Sequence, residues 1–309
     1  MKGIWLWMLE RYPPGIILVH ALAYMTSIAV VQGLLSETIV FSYLRDGFGI
    51  LVFFMFPLIL RIMDEHKDYE ADCVLHPDRV LQRGDTSLHD LRTLGLACAF
   101  IQLDYCFMVD GGIYVVTVMW GITMLYAILM AKEFFLGEWL QKRMMLYAIS
   151  HQLITPISVV WFCSIATTPE LPPVDILGFA LLGLLTTFAY ELTRKIRPPE
   201  EEREGLDSYT KSLGAWQAPA LALCIFVGIG VGTPFWLNHM RIPWDYMTGM
   251  LIVNGVLVVL CAFCCISFIK SPEKKWAKGM EAMSAVMTLW MYGWILYTVY
   301  QASEVQWIS

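Results

Sequence analysis

The sequence predicts an all-α membrane protein with nine transmembrane helices, forming a single domain over residues 1–309. Three observations carry that expectation. The first is composition: 58% of residues are hydrophobic and 16% charged, with a mean hydropathy of +0.59, whereas a soluble domain has about 25% charged residues. The second is a series of nine apolar windows, most of them near the ~20 residues that a spanning helix needs. The third is charge placement. If each window crosses the membrane once, all 21 Lys and Arg except Arg45 and Arg241 fall on one side. A soluble globular enzyme and a disordered chain are excluded. The net charge of −6 offers a polyanion no global basic field, so no nucleic-acid partner is expected.

The windows are 15–35, 47–63, 94–109, 112–131, 144–167, 174–193, 217–238, 247–269 and 279–302. The first is too long for a cleaved signal and ends without a small-x-small site. The second and third are short. The third and fourth are split only by Asp110-Gly111-Gly112, a tight-turn signal. The sixth must stop before Pro198-Pro199, which cannot continue a helix. Cys261, Cys264 and Cys265 sit together inside the eighth and read as small packing residues. Positive charge stays cytoplasmic, which puts the N-terminus inside and the C-terminus on the opposite side.

Two of the inner loops are long and rich in both carboxylates and cations. In the first, Asp64, Asp68 and Asp72 recur every fourth residue, so a continuing helix stacks them on one face. Three like charges on one face repel, and a hard divalent cation relieves the repulsion. Mg²⁺ takes carboxylate oxygens and keeps positions for water and phosphate. Arg79 and Arg83-Gly84 follow, and arginine forks match phosphate oxygens. A carboxylate-bound metal followed by arginines is the equipment for holding a diphosphate. Charged helix ends are more often a solvated cap, and Lys67 beside Asp64 and Asp68 fits that plain reading. Three aspartates in register, a following Arg-x-x-x-Arg-Gly and a second such loop favour function. In the second loop Glu191, Lys195, Arg197 and Lys211 are the candidates, with Glu200 and Asp207 as further carboxylates.

At these residues the chain resembles the UbiA-type intramembrane prenyltransferase superfamily. Asp64, Asp68 and Asp72 match its first aspartate motif, Arg79 the motif arginine, and Arg83-Gly84 the basic-Gly step after it. The stretch Arg194-Lys195-Ile196-Arg197-Pro198-Pro199-Glu200-Glu201-Glu202 looks like one branch of that superfamily. The resemblance implies a nine-helix bundle with an intramembrane cavity, and Mg²⁺ as cofactor. It also implies an isoprenoid diphosphate held by both loops, with Asp64, Asp68, Asp72, Glu191, Glu200 and Asp207 as the metal-ligand set. Arg79, Arg83, Lys195, Arg197 and Lys211 would hold the diphosphate. The chain departs from the pattern at Val80, where proline is usual, at His76, and at Glu191 and Lys195, which replace two aspartates. A charged lysine cannot ligate Mg²⁺. The second metal therefore relies on Glu191 with Glu200 or Asp207, or only one metal is held tightly.

The expected chemistry is ionisation of the allylic C–O bond with release of diphosphate, in a water-poor cavity. Loss of the second aspartate motif tilts the expectation to cyclisation of a C15–C25 substrate such as geranylgeranyl diphosphate. The alternative is transfer of the prenyl group to an aromatic or other acceptor. A more distant one is a divalent-cation transporter, which should place its acids near the bilayer midplane. His151-Gln152 is the best base or acceptor-orienting candidate within a span. The lipid bilayer is the expected surrounding, and no obligate protein partner is evident.

Overall fold

The computed structural model describes residues 2–203 and 207–308. Its helices are α1 (Lys2–Arg11), α2 (Ile17–Leu35), α3 (Tyr43–Lys67), α4 (Tyr69–Leu75), α5 (Leu88–Asp110), α6 (Val115–Ala131), α7 (Gly137–Gln141), α8 (Met144–Gln152), α9 (Ile154–Ser164), α10 (Ile176–Arg194), α11 (Tyr209–Leu213), α12 (Gln217–His239), α13 (Thr248–Lys270) and α14 (Lys274–Ala302). Among the described residues, eight helical segments are long and apolar enough to cross a membrane, with α8 and α9 counted as one. The 17-residue α6 is the ninth apolar helix. The chain is therefore an integral, multi-pass membrane protein.

Local chemistry sets the helix ends. The short second and third windows lengthen because polar caps extend them. Ser42 accepts a hydrogen bond from the Arg45 amide at the start of α3. Ser87 and Asp90 form a reciprocal capping box on α5. Gly111 ends α5 with φ of 66°, a left-handed conformation that glycine adopts without a Cβ penalty. The fifth span breaks between α8 and α9, where Pro156 removes a backbone donor. The sixth ends at Arg194, before the two prolines, as the sequence requires.

The spans form a ring in chain order. Each of α2, α3, α5, α6, α9, α10, α12, α13 and α14 packs on the next, and α14 closes on α2. Contacts of α10 with α14 and of α2 with α9 cross the ring. A two-stranded parallel sheet, not expected from the sequence, joins β1 (Thr38–Ser42) to β2 (Glu304–Ile308). Trp307 lies across it, 4.9 Å from Phe41 and 5.3 Å from Tyr43 between ring centroids. β1 follows the first span and β2 the last. An even number of crossings between them returns the chain to the same end, which fits nine spans.

Ion pairs tie the other end together. Arg11 of the N-terminal helix meets Glu65 at 2.8 Å, Lys67 meets Glu133 at 3.9 Å, and Glu201 meets Lys274 at 2.6 Å. A hydrogen bond from Ser212 to Met144 Sδ, 3.3 Å, joins the two sets, so the N-terminus and the loops after the second, fourth, sixth and eighth spans share one face. The charge pattern had sorted them the same way.

Candidate functional site

The site lies at that charged face, where α3 runs out of the apolar bundle. α3 stops at Lys67 and α4 starts at Tyr69, with Asp68 at the junction (φ −96°, ψ 5°). Helical hydrogen bonding nevertheless carries through the three aspartates: Asp68 N donates to Asp64 O, Asp72 N to Asp68 O, and His76 N to Asp72 O, at 2.8–2.9 Å. The continuous helix expected from the spacing is therefore bent at its middle aspartate, and the three carboxylates do not share one environment.

Asp72 turns toward cations: Arg79 Nη1 is 2.8 Å from its Oδ2 and Arg11 Nη2 is 3.9 Å away. Asp64 and Asp68 remain open. Their side chains are 43% and 52% exposed, and among the described residues neither carboxylate accepts a hydrogen bond. Arg61 approaches Asp64 at 4.0 Å, and Lys67 Nζ is 3.9 Å from both aspartates. Partial burial of the Asp68 carboxyl at the end of the bundle holds its pKa above the ordinary aspartate value. The charges of Asp64, Asp72 and Glu133 act in the same direction, and Lys67 opposes them.

The second loop contributes at one point. Glu191 lies near enough to Asp64 for their charges to interact. It is itself held by Arg194 and Lys195, each at 2.7 Å. Arg197 follows, its Nε buried without a partner among the described residues. Glu200, Asp207 and Lys211 are exposed, and the structure does not gather the two acids with Glu191 into a ligand set. Arg83 is also turned outward, onto Asp85.

Four further residues belong to this cluster. Glu133 projects from a turn whose residues Glu133, Phe134 and Phe135 all have positive φ, 48° to 60°. Non-glycine residues adopt that conformation only at a cost of roughly 1–2 kcal/mol each. Tyr147 on α8 receives a 2.9 Å hydrogen bond from Lys67. His151, one turn on, stacks on Tyr147 with centroids 4.0 Å apart. Its Nδ1 lies 2.8 Å from the Tyr147 carbonyl, and Nε2 is buried without a partner among the described residues. Lys67 itself is the hub, where the sequence suggested a surface pair. Tyr147 and His151 sit four apart on one helix face, a readable signal. Glu133 carried none, because a left-handed turn aims it.

Glu65 lies beneath the aspartates, 1% exposed, between Arg11 at 2.8 Å and Arg61 at 2.6 Å. Glu10 of α1 accepts from the Val80 amide at 2.8 Å. Gly3 packs so closely on the Asp85 carbonyl that a Cβ there would lie 1.9 Å from it. α1 is thus a strap across the arginine loop.

The donor set suits one Mg²⁺. Among the described residues no three His, Cys, Asp or Glu are placed to hold a metal alone. Mg²⁺, however, commonly uses one or two carboxylates and takes its other oxygens from water and phosphate. Asp64 and Asp68 are such a pair. About two to three turns deeper on α3, the interior is aromatic. Phe53 meets Phe162 with centroids 4.2 Å apart, and Phe162 meets Trp161 at the same distance. Trp161 is fully buried, while Phe107 faces outward. An apolar recess of about 310 Å³, bordered by Met25, Phe41, Gly293 and Trp307, lies toward the sheet end.

No protein-family model matches the chain, and no curated protein matches it. Solved structures do. One, from work on digeranylgeranylglyceryl phosphate synthase in membranes, superposes with a TM-score of 0.63 over 97% of this chain and 100% of its own, at 15% identity. A UbiA homolog from Aeropyrum pernix K1, solved without ligand, superposes with a TM-score of 0.62 over 87% of this chain and 94% of its own, at 12% identity. Over nearly its whole length the chain has the fold of the UbiA-type intramembrane prenyltransferases.

Proposed function

We infer that the protein is an enzyme that ionises an isoprenoid diphosphate at the charged face, with the prenyl chain in the apolar bundle. One observation carries the reading: two open carboxylates, Asp64 and Asp68, stand at the polar end of an apolar, aromatic-filled bundle, with Arg61 and Lys67 beside them and the second loop's Glu191, itself paired with Arg194 and Lys195, close enough for its charge to act on Asp64. Mg²⁺ held by Asp64 and Asp68 would neutralise the diphosphate and ease its departure. Arg79, Lys195 and Arg197 supply cations for its oxygens. The allylic C–O bond breaks and its electron pair leaves with diphosphate. Aromatic faces shield the resulting allylic cation from water, and each contributes about 0.5–2 kcal/mol of cation–π attraction.

In the cyclising form, a double bond of the same chain attacks the cation and a proton is lost. The substrate would be a C15–C25 diphosphate such as geranylgeranyl diphosphate. The engagement of Glu191 by Arg194 and Lys195, which departs from a paired-aspartate second motif, supports this form. A second reading is prenyl transfer to an acceptor. It is favoured by the likeness to a structure studied as digeranylgeranylglyceryl phosphate synthase. Divalent-cation transport fits less well. The buried acids Asp46 and Glu65 lie near opposite ends of α3 rather than at its middle.

Product analysis tests the choice. Detergent-solubilised protein with Mg²⁺ and C10 to C25 diphosphates, without acceptor, should yield a cyclic hydrocarbon or alcohol. Linear alcohol alone, followed by prenylation of an added phenol or quinone precursor, would establish the transferase form instead. Recovery of every substrate intact under both conditions would overturn the reading.

A further inference from the structure

Lys67 is placed where a metal-dependent site would ordinarily need a cation. Its Nζ lies 3.9 Å from Asp64 Oδ1, 3.9 Å from Asp68 Oδ1 and 3.9 Å from Glu133 Oε1, carboxylates supplied by two separate loops. An ammonium has three donors. One is used on the Tyr147 hydroxyl at 2.9 Å. The carboxylates stand beyond hydrogen-bond length, so they hold the ammonium by charge and, among the described residues, leave two N–H donors unspent. The side chain is 19% exposed, so a ligand at the charged face can reach it. The left-handed turn at 133–135 is strained backbone, and it delivers Glu133 to this ammonium. Strain of this kind persists where surrounding structure enforces it.

The other acids near this cluster are already neutralised: Glu191 by Arg194 and Lys195, Asp72 by Arg79, and Glu65 by Arg11 and Arg61. Of the six carboxylates in the described site, Asp64 and Asp68 are the two open enough to take an ion. We propose that Lys67 is a built-in diphosphate-binding cation, gathering Asp64, Asp68 and Glu133 and donating its two free N–H groups to phosphate oxygens in place of a second Mg²⁺. This rests on the diphosphate reading above and deepens it: the site takes one divalent ion, and part of its affinity for diphosphate is independent of metal.

Inorganic pyrophosphate is the probe, read by thermal stability and by titration calorimetry of the detergent-solubilised full chain. Wild type should bind pyrophosphate in EDTA. Lys67→Gln should weaken that binding at least about tenfold, the worth of a charge-assisted hydrogen bond, while Lys67→Arg retains it. In Mg²⁺ the loss in Lys67→Gln should shrink, because the ion takes over part of the neutralisation. Without pyrophosphate, Lys67→Gln should bind Mn²⁺ more tightly than wild type, since an ammonium no longer competes for the carboxylates. Tyr147→Phe gives the same reading if Lys67→Gln does not fold. It unties the ammonium without removing it, and pyrophosphate binding in EDTA should fall about 2–10-fold. Unchanged pyrophosphate binding in the variant, with Mn²⁺ binding equal or weaker, would make Lys67 a structural clamp and overturn the proposal. If wild type binds pyrophosphate in Mg²⁺ but not in EDTA, the proposal fails and the diphosphate reading stands. If it binds in neither, the diphosphate reading itself fails.

Discussion

Arg79 Nη1 sits 2.8 Å from Asp72 Oδ2, so the arginine that follows the aspartate triad neutralises the triad's own last member. With Arg11 Nη2 3.9 Å from the same oxygen, Asp72 acts as a clasp for the arginine loop. Asp64 and Asp68 stay free for a ligand. The three aspartates should therefore separate on mutation.

Asp68→Asn should lower turnover about 10²–10³-fold, the usual cost of removing one element that stabilises developing charge. At neutral pH its Tm should equal or slightly exceed that of wild type, because among the described residues the carboxylate makes no hydrogen bond and its charge is disfavoured in the fold. Asp72→Asn should instead lower Tm measurably by loosening Arg79. Paired thermal melts and kinetics of the two variants would show this. A larger Tm loss in Asp68→Asn would reverse the assignment.

The raised Asp68 pKa has a definite pH signature. A carboxyl whose folded pKa lies above its unfolded value, about 3.9, stabilises the fold fully below that unfolded value. The contribution is lost as pH rises through the folded pKa. Metal-free protein in EDTA should therefore lose part of its Tm as pH rises from about 4, and Asp68→Asn should flatten that slope. Mg²⁺ needs the ionised form, so its affinity should rise over the same window. Melts and calorimetry across pH check both signs.

Glu65 is 1% exposed and shared by Arg11 and Arg61. Arg11→Ala removes one charge-assisted bond from a buried carboxylate and frees α1 from α3. A loss of about 1.5–3 kcal/mol is expected, read as a lowered denaturation midpoint. Glu65→Gln in the Arg11→Ala background should recover part of it, because no buried charge is then left half-paired.

Much of this was legible beforehand. Apolar windows and charge sorting located the spans, because hydropathy over ~20 residues is the constraint a bilayer imposes. Asp110-Gly111-Gly112 marked a tight turn and Pro198-Pro199 the limit of a helix, because both act through local backbone chemistry. The parallel pairing of Thr38–Ser42 with Glu304–Ile308 was not legible, since it joins segments separated by eight crossings. The site divided the same way. The periodicity of Asp64, Asp68 and Asp72 could be read, but the bend at Asp68 could not. Arg11 lay outside the motif and was brought to Asp72 by tertiary packing. Glu133 was reached only through a left-handed turn that no residue in it favours.

The charged face is expected to be cytoplasmic, from its excess of Lys and Arg. Cys73 is exposed in the first loop, and Glu170 is exposed at the other end. In sealed, right-side-out vesicles an impermeant maleimide should label a cysteine placed by Glu170→Cys and spare Cys73 until the membrane is opened. The reverse order would invert the topology.

The most direct test is pyrophosphate release from geranylgeranyl diphosphate by the solubilised protein, measured in Mg²⁺, in EDTA, and in EDTA after Mg²⁺ is restored. Release should be rapid with Mg²⁺, absent with EDTA, and recovered on restoration, even though pyrophosphate itself still binds in EDTA. Release that continues undiminished in EDTA would contradict Mg²⁺-assisted ionisation at Asp64 and Asp68.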